Sequence, residues 1–173
     1  ADDIGLLTGS GAQQPIRVYA GLRSAESAEE RARLALAELI RVGGFDRSTL
    51  VISTPTGTGW LDPAGHDTME FILGGDVATI AMQYSYLASW LSLLTEPKYS
   101  GESARALFRK VYAYWRALPV DKRPKLYLHG LSLGTYGSEQ SAKLYEIFDQ
   151  PFDGVLWAGP PFPSQTWSGA TAD

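Results

Sequence analysis

Short apolar runs alternate with longer amphipathic segments along this chain. Because helical segments separate these runs, the sheet that they form is expected to be mainly parallel, with right-handed crossovers and helices on both faces. The pattern therefore predicts the α/β class, as a three-layer α/β sandwich. Five runs have strand character: Ile16–Ala20, Leu50–Ser53, Val77–Gln83, Lys125–His129 and Asp153–Ala158.

Residue types that begin helices lie between the predicted strands. Ser27 and Glu30 have the spacing of a capping box, and Asp62-Pro63 marks a second helix start. Apolar residues predict three further helices, over Tyr84–Leu94, over Glu102–Leu118 and from the end of the fourth strand to about Phe148.

The length of 173 residues suits one domain with a single core. Residues 1–14 are small and polar, and they are interpreted as a leader or linker. Residues 15–165 form the predicted core, and residues 166–173 are interpreted as a tail.

Composition narrows the possible functions. The net charge of −4 and the absence of a basic cluster argue against nucleic acid as a partner. The chain has no cysteine, which excludes disulfides, zinc–thiolate sites and thiol catalysis. No apolar run is long enough to span a bilayer, so the chain itself is expected to be soluble. Nothing in the pattern calls for a cofactor or a metal.

The fourth strand runs into Gly130-Leu131-Ser132-Leu133-Gly134, and a helical segment follows at once. A Gly-x-Ser-x-Gly pattern between strand and helix is typical of a nucleophile elbow, where a sharp turn exposes the serine hydroxyl. Gly130 and Gly134 leave room where side chains would collide. We therefore expect Ser132 to have a positive φ and to act as a nucleophile. The alternative is a structural turn without chemistry.

An elbow serine needs amide donors for the oxyanion that forms during attack. Leu133 would provide one N–H, and the loop Thr56-Gly57-Thr58 after the second strand is placed to provide another. The alternative is a flexible glycine loop that only links strand to helix. It is not a phosphate loop, because no Gly-Lys-Ser/Thr follows.

A general base is harder to assign. Proteins with such an elbow usually carry an acidic residue and then a histidine later in the chain than the serine. No histidine follows Ser132 in this sequence. His129 is expected to be structural and His66 to be a solvated surface residue. The carboxylates after the serine are Glu139, Glu146, Asp149, Asp153 and Asp173, and helix capping or turn formation accounts for Asp149 and Asp153.

Tyr84, Ser85 and Trp90 follow the third strand in a strongly apolar stretch. Within that stretch one helical stripe usually belongs to the core, and it consists of Leu87, Trp90, Leu91 and Leu94. The functional alternative is a wall that binds the acyl group of a substrate.

Four blocks of this sequence together resemble a bacterial α/β-hydrolase family in which the hydrolase domain follows a multi-helix membrane region. The resemblance covers about residues 15 to 165, and it implies an α/β-hydrolase fold, a serine nucleophile at Ser132 and a membrane-tethered parent protein. The blocks are Pro15–Leu22, Thr54–Trp60, Met82–Tyr86 and Gly159–Phe162.

Two departures from that family stand out. Leu131 is apolar where the family often has an acidic residue before its nucleophile. The chain also stops soon after Gly159–Phe162, where such a domain would continue into the strands that carry the acid and the histidine. We therefore expect this chain to be the first part of a larger hydrolase domain, truncated after the strand that follows the nucleophile helix.

The expected function is serine hydrolysis of a small-molecule or lipid carboxylic ester, or acyl transfer. A thioesterase or peptidase would use the same residues. The alternative is a non-catalytic hydrolase-like domain that serves as a binding or interaction module. The expected strand order is first, third, second, fourth, fifth. The segment Val155–Trp157 is apolar and lacks the charges that protect an exposed edge, so the rest of the domain or an oligomer partner is expected to cover the strand at 153–158.

Overall fold

The computed structural model describes residues 2–8, 11–87, 97–145 and 150–172. Within these residues the chain forms a parallel sheet with the strand order β1-β3-β2-β4-β5, which confirms the predicted order. The carboxyl ends of all strands therefore lie along one edge of the sheet. The strands are β1 (Ile16–Ala20), β2 (Thr49–Thr54), β3 (Val77–Met82), β4 (Lys125–Leu131) and β5 (Gly154–Ala158).

Helices connect these strands, and two of them begin as the sequence predicts. Ser27 caps α2 and forms a reciprocal capping box with Glu30, while Asp62 caps α3 and accepts hydrogen bonds from two backbone N–H groups. Pro63 occupies the first turn of α3, where its missing N–H has no cost. The described helices are α1 (Asp2–Thr8), α2 (Ala28–Arg41), α3 (Pro63–Ile72), α4 (Pro97–Ala117), α5 (Leu133–Tyr145) and α6 (Gln165–Thr171).

The main core lies between one face of the sheet and the helices α2 and α4. Alternate residues of each strand point to this face, so Leu50, Ile80 and Leu128 pack in one buried cluster with Leu39 and Phe108. Helix α5 packs against α4 and β4 and extends the same layer. Burial of this face supplies most of the hydrophobic stabilisation.

Helix α3 covers the opposite face and completes the three-layer sandwich. Arg17 on β1 donates hydrogen bonds to Glu70 and Asp67 of α3, at 2.6 to 2.7 Å. These bonds, those to Glu70 above all, raise the pKa of Arg17. The Glu70 side chain is almost fully buried, so Arg17 compensates a charge that would otherwise lose its solvation.

The structure shows the backbone of three segments that the sequence left open or predicted otherwise. The stretch interpreted as a leader contains α1, whose Ile4 is buried and which packs against α3. Residues 166–171 of the stretch interpreted as a tail lie in α6. Residues 84–87 of the predicted helix Tyr84–Leu94 are not helical, and the rest of it lies outside the described residues. Ser85 Oγ accepts the N–H of Leu87, and this local bond competes with a helical turn.

Strand β5 is an edge of the sheet as far as the structure describes the chain. Val155 and Leu156 are about half exposed, and they border an apolar groove of 500 Å³ beside α3. The expected partner for this edge stays a prediction. None of the described helices is both long and apolar enough to cross a bilayer.

Candidate active site

Ser132 occupies a sharp turn between β4 and α5. Its φ is 54°, and it is the one non-glycine residue with positive φ in the described ranges. A serine in this left-handed region stores about 1–3 kcal/mol of strain, which the surrounding contacts must hold. The predicted positive φ of Ser132 is therefore confirmed.

Gly130 and Gly134 allow strand and helix to come this close. A Cβ atom on Gly130 would lie 2.6 Å from the carbonyl oxygen of Gly134, and one on Gly134 would collide with the carbonyl oxygen of Thr54. Neither contact can be relieved by turning a side chain, because the opposing atoms belong to the backbone. The two glycines thus set the packing of the elbow against both β4 and the loop after β2.

Two hydrogen-bond donors tie the elbow to the end of β5. The N–H of Ser132 donates to the carbonyl of Ala158 at 2.8 Å. The hydroxyl of Thr135 lies 2.9 Å from the carbonyl of Gly130 and 3.1 Å from that of Ala158. Sequence reasoning missed Thr135. The signal was present, since a hydroxyl residue in the first turn of a helix often bonds to nearby backbone.

The Ser132 side chain is half-buried, and its hydroxyl makes no hydrogen bond to another described residue. Leu133 is the first residue of α5, so its N–H has no partner within the helix. The positive end of the helix dipole adds to that donor. A negative oxygen bound beside Ser132 would therefore meet a favourable field.

The loop of residues 54–60 lies against this turn. The carbonyl oxygens of Thr54 and Pro55 are the atoms nearest to Gly134. The N–H of Thr56 already donates to the carbonyl of Trp60 at 3.0 Å, so Thr56 has no free N–H to offer an oxyanion. Gly57 is buried and Thr58 is exposed, and the assignment of a second donor to either of them stays a prediction.

The two histidines of the chain lie together at Ser53, with their ring centroids 4.8 Å apart. His129 Nδ1 is 2.9 Å from Ser53 Oγ, and His66 Nε2 is 3.1 Å from the same oxygen. The expectation for His66 was wrong: it is 4% exposed, because α3 turns this residue towards Ser53 on β2. The structural assignment of His129, which is equally buried, agrees with the structure.

The hydrogen bonds fix the tautomers of both rings. His66 Nδ1 lies 2.8 Å from the carbonyl of Asp62, which can only accept, so Nδ1 carries the proton. His66 Nε2 then accepts from Ser53, and Ser53 accepts from His129. Burial, together with the neighbouring His66, lowers the pKa of His129 to about 4. Both rings are engaged with Ser53, so neither is placed to take a proton from Ser132.

The described carboxylates after Ser132 bind backbone amides. Glu139 is buried in α5 and accepts the N–H of Thr166 at 2.5 Å, near the start of α6. Asp153 accepts the N–H of Leu126 at 2.7 Å. Glu146, Asp149 and Asp173 lie outside the described residues. No group of three metal-binding side chains occurs in the part of the chain that the structure describes.

Tyr84 and Ser85 border a cavity of 690 Å³ at the carboxyl ends of β1 and β3. Leu22, Arg31 and Leu87 also line it. Burial raises the pKa of Tyr84 to about 12, so its hydroxyl stays protonated. A cavity of this size suits a small organic ligand. Trp90 lies outside the described residues, and its role as a substrate contact stays a prediction.

Comparison with known proteins agrees with this geometry. A model of the alpha/beta-hydrolase family matches residues 16–173, which is most of the chain. Neither the curated proteins nor the solved structures gave a significant match. On the family match, the chain belongs to the alpha/beta-hydrolase family.

Proposed function

We propose that the protein is a serine hydrolase that cleaves carboxylic esters or transfers their acyl groups, with Ser132 as nucleophile. The observation that carries the proposal is the positive φ of Ser132 at a strand-to-helix turn. A structural serine gains nothing from this strained conformation, whereas a nucleophile gains an exposed hydroxyl at the N-terminus of a helix.

The proposed reaction has two steps. Ser132 Oγ bonds to the acyl carbon, and the hydroxyl proton passes through a base to the leaving alcohol. Water, or an acceptor alcohol in acyl transfer, then attacks the acyl-enzyme and restores the serine. The N–H of Leu133, with a second N–H from residues 57–58, stabilises the negative oxygen in both steps. Because His66 and His129 are engaged with Ser53, the base is a histidine other than these two.

The substrate is a small-molecule or lipid ester. The cavity beside Tyr84 and Ser85 supports this choice, because it has the volume for an acyl or alkyl group and its walls combine apolar side chains with the charged Arg23, Glu26 and Arg31. Trp90 completes the same wall in this proposal. The resemblance to a membrane-linked bacterial family supports membrane association of the protein through another segment. The exposed apolar residues of β5 support a partner or further chain that covers this strand.

The test is hydrolysis of p-nitrophenyl butyrate by the protein expressed from its complete gene. Ser132→Ala should abolish turnover and labelling by a fluorophosphonate probe. Ser168→Ala is the matched control, because its hydroxyl bonds only within α6 and its loss should change neither result. Turnover that persists at the wild-type rate in Ser132→Ala would refute the proposal.

A binding module without catalysis is the second candidate. It is favoured by one observation, the engagement of both histidines with Ser53. A complete-gene product that binds an ester in the cavity but neither hydrolyses it nor reacts with the probe would support this alternative.

A further inference from the structure

Gln83 lies where three loops meet, just past the carboxyl end of β3. Its Oε1 accepts the N–H of Leu22 at 3.1 Å. Its Nε2 donates to the carbonyls of Thr58, at 3.2 Å, and Ser85, at 3.0 Å. Because the amide oxygen faces a donor and the amide nitrogen faces two acceptors, the side chain has one satisfactory orientation.

The loop that receives the bond at Thr58 is closed on itself. The N–H of Thr56 donates to Trp60, and the N–H of Gly59 donates to Thr56 at 2.9 Å. Such a turn moves as a unit. Its position relative to Ser132 therefore depends on what holds it from outside.

Two side chains hold the far end of this turn. Tyr19 on β1 donates its hydroxyl to the carbonyl of Gly59 at 2.8 Å, and Gln83 holds the neighbouring carbonyl of Thr58. Gly59 has a φ of 86°, and a Cβ there would lie 2.5 Å from Tyr19 Oη and 2.8 Å from Gln83 Cγ. Gly59 is thus packed between the side chains of Tyr19 and Gln83.

The near end of the loop rests on the elbow, where Thr54 and Pro55 abut Gly134. A displacement at Thr58 would therefore reach the surroundings of Ser132 through a short, closed segment. We propose that Gln83 is a positioning residue, which fixes the 54–60 loop at the working distance from Ser132. It acts through the loop and does not touch the reacting atoms. The inference rests on the proposed function.

Gln83→Glu tests this role, because it keeps the shape and the acceptor for Leu22 but removes both donors. Steady-state hydrolysis of p-nitrophenyl butyrate should show kcat reduced by about tenfold or more, with KM changed much less, since a misplaced site loses transition-state contacts first. Tyr19→Phe keeps the aromatic ring and removes only the hydrogen bond from the Tyr19 hydroxyl to the carbonyl of Gly59. It should also reduce kcat with little change in KM, and it supplies the test if Gln83→Glu fails to fold.

Two controls separate the possible outcomes. Ser48→Ala removes a hydrogen bond to the Asp76 carbonyl at the amino ends of β2 and β3, the edge of the sheet opposite the loop, so it should lower stability and leave kcat unchanged. Amide hydrogen exchange of residues 56–60 should quicken by about threefold or more in Gln83→Glu and stay at the wild-type rate in Ser48→Ala. Unchanged exchange would overturn the anchoring role whatever the activity shows.

The activity data also distinguish the two proposals. Activity that survives Ser132→Ala overturns the proposed function, and with it the catalytic part of this inference. Activity that depends on Ser132 but keeps its kcat in Gln83→Glu overturns the role of Gln83 alone.

Discussion

His129 Nδ1 and Ser53 Oγ lie 2.9 Å apart on neighbouring strands, where the imidazole is buried. The two residues are direct partners in the β2–β4 register, so the pairing of the strands itself brings them together. Neutral histidine is favoured in the folded state because burial disfavours the charged ring.

The first prediction is a loss of stability in mild acid. The pKa of His129 is lowered to about 4 in the folded protein, whereas the unfolded chain titrates near its usual 6.5. Unfolding therefore takes up a proton as the pH falls from 6.5 to 4. The free energy of unfolding should drop by roughly 3 kcal/mol over this range on account of His129.

Urea unfolding at several pH values measures this drop. His129→Asn keeps an N–H donor for Ser53 and removes the titration, so its unfolding free energy should depend less steeply on pH than that of the wild type. Equal slopes for both proteins would show that His129 does not govern the acid response.

The second prediction concerns Gly134. Its replacement by alanine places a methyl group against the backbone of Thr54. We expect the free energy of unfolding to fall by about 3 kcal/mol or more, because backbone cannot move aside as a side chain does. Gly169→Ala in α6 is the matched control, since a Cβ there meets no atom, and it should be neutral or stabilise by about 0.5–1 kcal/mol. Thermal unfolding distinguishes the two variants, and a Gly134→Ala protein as stable as Gly169→Ala would contradict the packing described.

The third prediction concerns the hydrogen bonds of the Thr135 hydroxyl. Thr135→Val preserves volume but removes the hydroxyl that bonds to Gly130 and Ala158. Because Ala158 keeps the N–H of Ser132, the loss is that of one buried hydrogen bond, and it should lower the unfolding free energy by about 0.5–1.5 kcal/mol. Thr135→Ser keeps the hydroxyl and should recover a large part of the loss. Chemical denaturation of both variants measures the difference. Valine and serine variants of equal stability would show that the Thr135 hydroxyl does not stabilise the fold.

The fourth prediction compares two arginines that pair with glutamate. Arg17→Met leaves Glu70 buried without its partner and should lower the unfolding free energy by about 1–3 kcal/mol. Arg41→Met breaks an exposed pair with Glu38 and should change it by less than about 1 kcal/mol. The test is urea denaturation in low and high salt, where similar losses for both variants would contradict the special role of buried Glu70.

Sequence patterns predicted the features that depend on neighbouring residues. The capping box at Ser27, the helix start at Asp62 and the turn at Ser132 each involve a few adjacent positions whose chemistry favours one local geometry. The strand order followed because the crossover rules and the hydrolase pattern leave few arrangements for five parallel strands.

Features that depend on distant residues were missed. His66 looks like a surface residue of an amphipathic helix until β2 places Ser53 opposite it. Tyr84–Leu87 has a helical pattern of apolar residues, but the segment is not helical, because the side chains of Gln83 and Ser85 hydrogen-bond to its backbone. The engagement of Thr56 with Trp60 likewise depends on how the loop closes, which spacing alone does not reveal.

The bond from the Ser132 N–H to the Ala158 carbonyl bears on how the protein is made. Ribosomes deliver Ser132 before Ala158, so a nascent chain holds the serine before it holds the acceptor. Until β5 pairs with β4, the N–H of Ser132 lacks this acceptor. The last hydrogen bond of the elbow therefore forms only after Ala158 has emerged, as a late step of co-translational folding.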